Sequence, residues 1–354
     1  MACAICFSGL IATVGQKLDA ADQAVLALPL ADGGQFRIVD VIKGDIAGGG
    51  TVVEAGLSRE GTQLMMTPDG VAAVRKAPAP QKGETLLLLR NRLSKRWTNA
   101  GAIDGEFGPW LRQLAAAGRG DDDRPAGARP FGGQASDGLS ESEWRDRVAL
   151  VAPHLESADP LAAEIAYGEI ARAPYGALRS LRPSLDAVKI AKWIDDPALA
   201  SRRSAYTLLL GIAGGVDEAA GLEQRLDAAW TAQDAANLSA MLAADLEIRG
   251  PGRVAWVEAK YLADRKRTLP EIEAALLGLS VHGRANAAVP RERVIAAYRF
   301  FIKEHRPMAG FVAPDLAEWG AWEATADYMA ILQSKVVKDP ASEFMIARFI
   351  EQSP

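Results

Sequence analysis

The chain has 354 residues, with 40 Lys and Arg against 45 Asp and Glu, a formal net charge of -5 and 49% hydrophobic residues. That length exceeds one ordinary domain, and the mildly acidic balance argues against a nucleic-acid partner, which calls for a strong basic face. The most apolar runs, ETLLLLR and YTLLLGIAGG, are short and bounded by charge or glycine, so none reaches the ~20 apolar residues that cross a bilayer.

The chain begins MACAICFSG, and Cys3 and Cys6 are its only cysteines. No basic segment followed by an apolar stretch precedes them. Such an abrupt start reads as a mature exported chain with its signal peptide removed, so a periplasmic or extracellular location is expected. A short helix is predicted over 10–18, with the cysteines at its start.

Six β-type runs follow: QAVLALPL, QFRIVDVIKGD, GTVVEAGL, TQLMMT, VAAVRK and ETLLLLRN. In the second, Phe36, Ile38, Asp40 and Ile42 alternate with Arg37, Val39, Val41 and Lys43, giving one apolar face. Glycine-rich turns such as ADGG and PDG separate the runs at hairpin-like intervals. A small antiparallel β-barrel or sandwich over 1–115 is expected. Residues 116–141, rich in Gly, Asp, Pro and Ser, read as a flexible linker. The Arg119-Gly120-Asp121 tripeptide within it is read as accidental.

Residues 142–354 carry the helical period. Val294, Ile295, Tyr298, Phe301 and Ile302 form one apolar stripe. Helix starts are marked by Pro160, Pro197, Pro251, Pro270, Pro290, Pro314 and Pro340, because proline loses no intrahelical bond in a first turn. In ADP, DDP, APD and KDP an adjacent aspartate is expected to cap the free amides. From 251 to 270 to 290 the starts imply a two-helix unit of about 40 residues, which fits the HEAT/armadillo period. The fold class expected is therefore α+β in two domains, a β-barrel or sandwich followed by an all-α solenoid.

CAICFSG, ADQAVLAL, FRIVDVIKGD and GTVVE, followed by HLESADPLAAEIAYGEIARAPY, KWIDDP, RRSAYTLLLGIAGG and APDLAEWGAWEATADYMAIL, resemble a group of secreted bacterial proteins of planctomycete type. Those proteins join an N-terminal OB- or netrin-like β-domain to HEAT-like helices. The resemblance implies export and this architecture, and it brings no catalytic residues with it. VIKGD is also similar to netrin-module inhibitors, whose mature chains begin near Cys-x-Cys. Here the spacing is Cys-x-x-Cys and no distant cysteine exists to pair with it.

Cys3 and Cys6 suit a local disulfide, half a zinc site, a thiol-redox couple or, as Met1-Ala2-Cys3-Ala4-Ile5-Cys6, a Cu(I) loop. In an oxidising compartment the disulfide is the preferred reading. His154, His282 and His305 each fall near a predicted helix end, where a histidine meets free carbonyls or solvent. GPGRVA at 250–255 imitates a dinucleotide-binding loop, but Pro251 has no amide to give a phosphate, so it reads as a helix start. Glu164 and Glu169 read as a solvated helix face, and DRKRT at 264–268 as a surface corner. Trp193, Trp319 and Trp322 read first as packed core; Trp319 and Trp322, i and i+3 if the helix runs through Gly320, are the candidate aromatic binding patch.

No catalytic constellation emerges and no cofactor is expected. The function expected is a non-catalytic interaction or scaffold protein of the envelope or secreted space, with a protein partner. The alternative is a copper-, zinc- or thiol-handling protein using Cys3 and Cys6.

Overall fold

The computed structural model describes residues 12–30, 34–46, 52–54, 62–66, 72–76, 84–91, 97–118 and 138–354. Cys3 and Cys6, and most of the segment expected to be a linker, lie outside the described residues. The architecture is α+β: one five-stranded antiparallel sheet near the N-terminus and a predominance of helix. The contacts divide the chain at Leu181/Arg182 into two units.

The first unit opens with α1 (Val14–Ala20). Its start is fixed by a capping box, in which the Gln16 amide donates to Thr13 Oγ1 (3.1 Å) and the Thr13 amide to Gln16 Oε1 (3.0 Å). The strands are β1 (Gln23–Pro29), β2 (Gln35–Lys43), β3 (Val52–Glu54), β4 (Thr62–Met66), β5 (Ala72–Lys76), β6 (Leu86–Arg90) and β7 (Trp97–Ala102). The main sheet has the order β3-β2-β1-β6-β7, and β4 pairs with β5 in a separate ladder. The alternation read in β2 is real: Phe36, Ile38 and Ile42 are buried, while Arg37 and Val39 are exposed. One face of the sheet holds a core of Val25, Ala27, Phe36, Ile38, Leu86, Leu88 and Trp97.

Two elements had no counterpart in the sequence reading, β7 and α2 (Gly108–Ala117). Helix α2 packs on β2, where Arg112 meets Asp40 at 2.5 Å. After the expected linker come α3 (Glu141–Val151), α4 (Pro160–Arg172) and α5 (Tyr175–Arg179). Helix α3 starts at a Ser140/Glu143 capping box, and α4 starts at Pro160, where Asp159 Oδ1 accepts from the Leu161 and Ala162 amides at 2.9 Å. These three helices belong to the unit that holds the sheet, so the division falls after them, at Leu181.

The second unit contains α6 (Ala187–Asp195), α7 (Arg203–Ala213), α8 (Val216–Ala232), α9 (Leu238–Arg249), α10 (Val254–Val257), α11 (Leu269–Ala285), α12 (Arg291–Glu304), α13 (Ala313–Glu318), α14 (Thr325–Ser334) and α15 (Pro340–Gln352). Packing runs between helices close in the chain: α7 and α8 on α9, α9 on α11, α11 on α12, and α13 and α14 on α15. Small residues permit it. A β-carbon on Gly211 of α7 would lie 2.5 Å from the Ala244 Cα of α9, and one on Gly278 of α11 would lie 3.1 Å from the Ser239 carbonyl oxygen. Leu242, Leu246 and Leu279 are fully buried in the resulting core, each contributing about 2–3 kcal/mol. Val294, Tyr298, Phe301 and Ile302 face the same core, and Ile295 packs at its edge.

Prolines stand in the first turn of α4, α11, α13 and α15, and of the 3-10 turns at Pro197 and Pro251; Pro290 is the residue before α12. Asp159, Asp196 and Asp339 cap as expected. Asp315 does not cap. It is buried and bonded to other helices, because three side-chain donors compete for it.

Candidate functional site

Trp319 and Trp322 do not share a helix face. Helix α13 ends at Glu318, and Gly320 takes the left-handed region (φ 66°), which separates the two rings. Trp319 stacks on Tyr298 (centroids 5.6 Å, 15°) and lies against Gly283, where a β-carbon would collide with its ring. Trp322 packs on Phe349 at 5.1 Å. Both are half-buried against the core, as is Trp193, whose ring lies 5.0 Å from that of Tyr206.

The histidines meet carbonyls and rings. His282 Nε2 lies 2.9 Å from the Ala243 carbonyl, and His305 Nε2 lies 2.7 Å from the Leu262 carbonyl. His154 is wedged near Trp110 (4.5 Å) and Phe107 (5.4 Å), where burial lowers its pKa.

Glu169 overturns the expectation of a solvated face. It is fully buried, and it accepts from Arg147 Nε, from Arg172 Nε (3.1 Å) and from Arg172 NH2 (2.7 Å). Asp19 of α1 completes the group, taking Arg147 NH2 at 2.8 Å and Arg172 NH2 at 2.9 Å. Burial pushes the Glu169 carboxyl up to about 7, with Arg147 pulling the other way. Two cations and two anions balance, and they tie α1, α3 and α4 together. A second buried network surrounds Asp315: Ser280 Oγ donates to it at 2.6 Å, Tyr298 Oη at 3.0 Å and Arg284 NH2 at 2.5 Å. Both groups are structural ties in which every carboxylate is spent on donors of this chain.

A different arrangement occupies the second unit around residues 253–267. Helix α10 runs into a π-helical turn, Glu258–Leu262, closed by the Ala263 amide donating to the Glu258 carbonyl at 2.7 Å. Turns of this kind are rare insertions that often accompany functional sites. Arg293 holds Glu258 through two 2.7 Å bonds, and His305 occupies the Leu262 carbonyl at its far end.

Cations and indoles alternate across this turn. The Arg253 guanidinium lies 3.9 Å from the Trp256 ring centre, and Lys260 Nζ is 5.9 Å from Trp256 and 4.3 Å from Trp230 of α8. The Arg267 guanidinium then covers the opposite end of the row, 4.5 Å from Trp230. Each contact is worth about 0.5–2 kcal/mol, more as water is excluded. Arg267 is only 8% exposed in its side chain and donates to Glu271 (3.0 Å) and to the Trp230 carbonyl (2.9 Å). DRKRT is thus only partly a surface corner, because Trp230 and Glu271 draw its last arginine inward; Arg265 and Lys266 are exposed.

Of these residues the sequence reading had marked the basic run, His305, and Arg253 only as part of the helix start GPGRVA. Arg253, Trp256 and Lys260 stand at i, i+3 and i+7, a helical-face spacing that could have signalled the rest. Trp230, brought in from another helix, left no such signal. Among the described residues, no group of three or more His, Asp or Glu is placed to hold a metal ion, and no helix is long and apolar enough to cross a membrane. No family model matches this chain, and no curated protein or solved structure does either.

Proposed function

We propose that the protein is a non-catalytic interaction protein of the cell envelope or secreted space, and that its helical unit receives a protein partner at the row Arg253–Trp256–Lys260–Trp230–Arg267. The row carries the proposal. Tryptophan and arginine are the residues that most often dominate protein interfaces, because they bring large area together with a polar handle. Here they alternate across the turn, with Trp230, Trp256 and Lys260 half-buried.

The buried carboxylates elsewhere, Glu169 and Asp315, act as fasteners between helices, which suits a holder more than a reactor. Neighbour-to-neighbour packing of α7, α9, α11 and α12 supports a HEAT-like stack, an architecture that offers long partner-binding surfaces. A five-stranded antiparallel sheet with β1 in its middle is in keeping with the partly open OB-type barrel. The resemblance to exported two-part bacterial proteins, and the disulfide preferred at Cys3 and Cys6 in an oxidising compartment, belong to the same reading.

Affinity capture from envelope extracts tests it, with the wild-type chain and Trp230→Ala side by side. A partner retained by the wild type and lost by the variant is the expected result. Equal recovery with both chains, or turnover of a defined substrate by the purified protein, would contradict it.

A further inference from the structure

We infer that Lys260, framed by Trp230 and Trp256, is the docking point for an acidic peptide segment of the partner, whose carboxylate would pair with the Lys260 ammonium while its aliphatic stem lies against the indoles. This rests on the reading of the protein as an interaction protein and specifies the chemistry of what it holds.

The chain supplies the pattern. Arg253 covers one indole and is neutralised by Asp245 (2.6 Å) and Glu223 (3.2 Å). Arg267 covers the other and is neutralised by Glu271 (3.0 Å) and Asp264 (3.2 Å). Lys260 repeats the ring contact between them, and among the described residues no carboxylate pairs with it. Lys260 is half-buried with its ammonium held beside two rings, so an arriving carboxylate finds the cation already in place.

Two further observations concern this turn. The next residue, Tyr261, is fully buried, yet its hydroxyl has no hydrogen-bond partner among the described residues, and burial raises its pKa to about 12. Packing alone would favour phenylalanine there. The loop that leaves the turn also presents exposed Lys266 beside Arg265, which is 75% exposed and only loosely paired with Glu304 at 3.5 Å, so the approach for an acidic chain is cationic. The overall charge of -5 sets this local cationic feature apart from a nucleic-acid-binding face.

Calorimetric titration of the full chain with a hexaglutamate peptide tests the inference. Binding is expected to weaken about tenfold or more in Lys260→Met, which keeps the apolar stem, and to return in Lys260→Arg. Lys338→Ala, at an exposed site on another segment, should leave it unchanged. Hexaglutamate binding that survives Lys260→Met overturns the assignment, as does equal binding of hexaglutamine or tighter binding of a duplex DNA probe. If Lys260→Met still captures the partner that the wild type captures, this docking point is wrong while the interaction reading stands. If the wild type captures none, that reading fails by itself.

Discussion

Gly15 of α1 lies so close to Glu169 of α4 that a β-carbon at position 15 would overlap the carboxylate oxygen Oε1. The glycine is there for approach, since its own helix would be better served by alanine. It lets a buried carboxylate reach two arginines while α1 stays in contact with α4.

Gly15→Ala is therefore expected to destabilise the first unit by about 1–3 kcal/mol, through overpacking and a displaced ion pair. Gly221→Ala in α8, where nothing lies within 4 Å of the added carbon, should instead stabilise by about 0.5–1 kcal/mol. Denaturant midpoints followed by circular dichroism compare the two. Equal effects would refute the close-approach argument.

The Glu169 carboxyl is raised on folding, from an ordinary 4.5 to about 7, chiefly by burial. The folded state then holds its proton more tightly than the unfolded one. The associated stability is fully present below about pH 4.5 and is lost as pH rises through about 7, a change of about 3 kcal/mol at most. Glu169→Gln removes that slope while lowering stability overall, because Arg147 and Arg172 are left with Asp19 alone. Unfolding free energies at pH 5 and pH 8 for both proteins give the comparison, and parallel pH profiles would show that Glu169 does not titrate in this window.

The Asp315 network should behave as one unit. Asp315→Ala is expected to cost about 2 kcal/mol and Tyr298→Phe about 1 kcal/mol, since Tyr298 Oη also reaches the Leu276 carbonyl (3.2 Å). The double variant should cost less than the sum. Strict additivity would mean the 3.0 Å bond between them carries no energy.

Trp319→Ala is expected to lower stability by about 3 kcal/mol, because the ring is stacked on Tyr298 and against Gly283. A variant with unchanged melting would return Trp319 to the status of an available binding surface.

Much of the fold was legible because the chain marks it locally. The six runs read as strands contain β1 to β6, and Asp159-Pro160 and Asp339-Pro340 open helices where the capping logic places them. Strand β7 was missed because WTNAGA has no apolar alternation; pairing with β6 makes it a strand. Glu169 was misjudged because Arg147, which holds it along with Arg172 of its own helix, sits on another element. A signal existed in PLAAEIAYGEIAR, which is apolar nearly all round and so describes an inner helix, where a carboxylate must find a cation. Arg253, Trp256 and Lys260 carried a helical-face spacing, but Trp230 was beyond reach, since no periodicity announces an indole from a separate helix.

Amide hydrogen exchange of the full chain, free and bound to its captured partner, tests the central claim most directly. Protection concentrated on residues 253–267 and on the end of α8 around Trp230 is the result expected. Protection confined to other segments, with 253–267 exchanging as in the free protein, would contradict it.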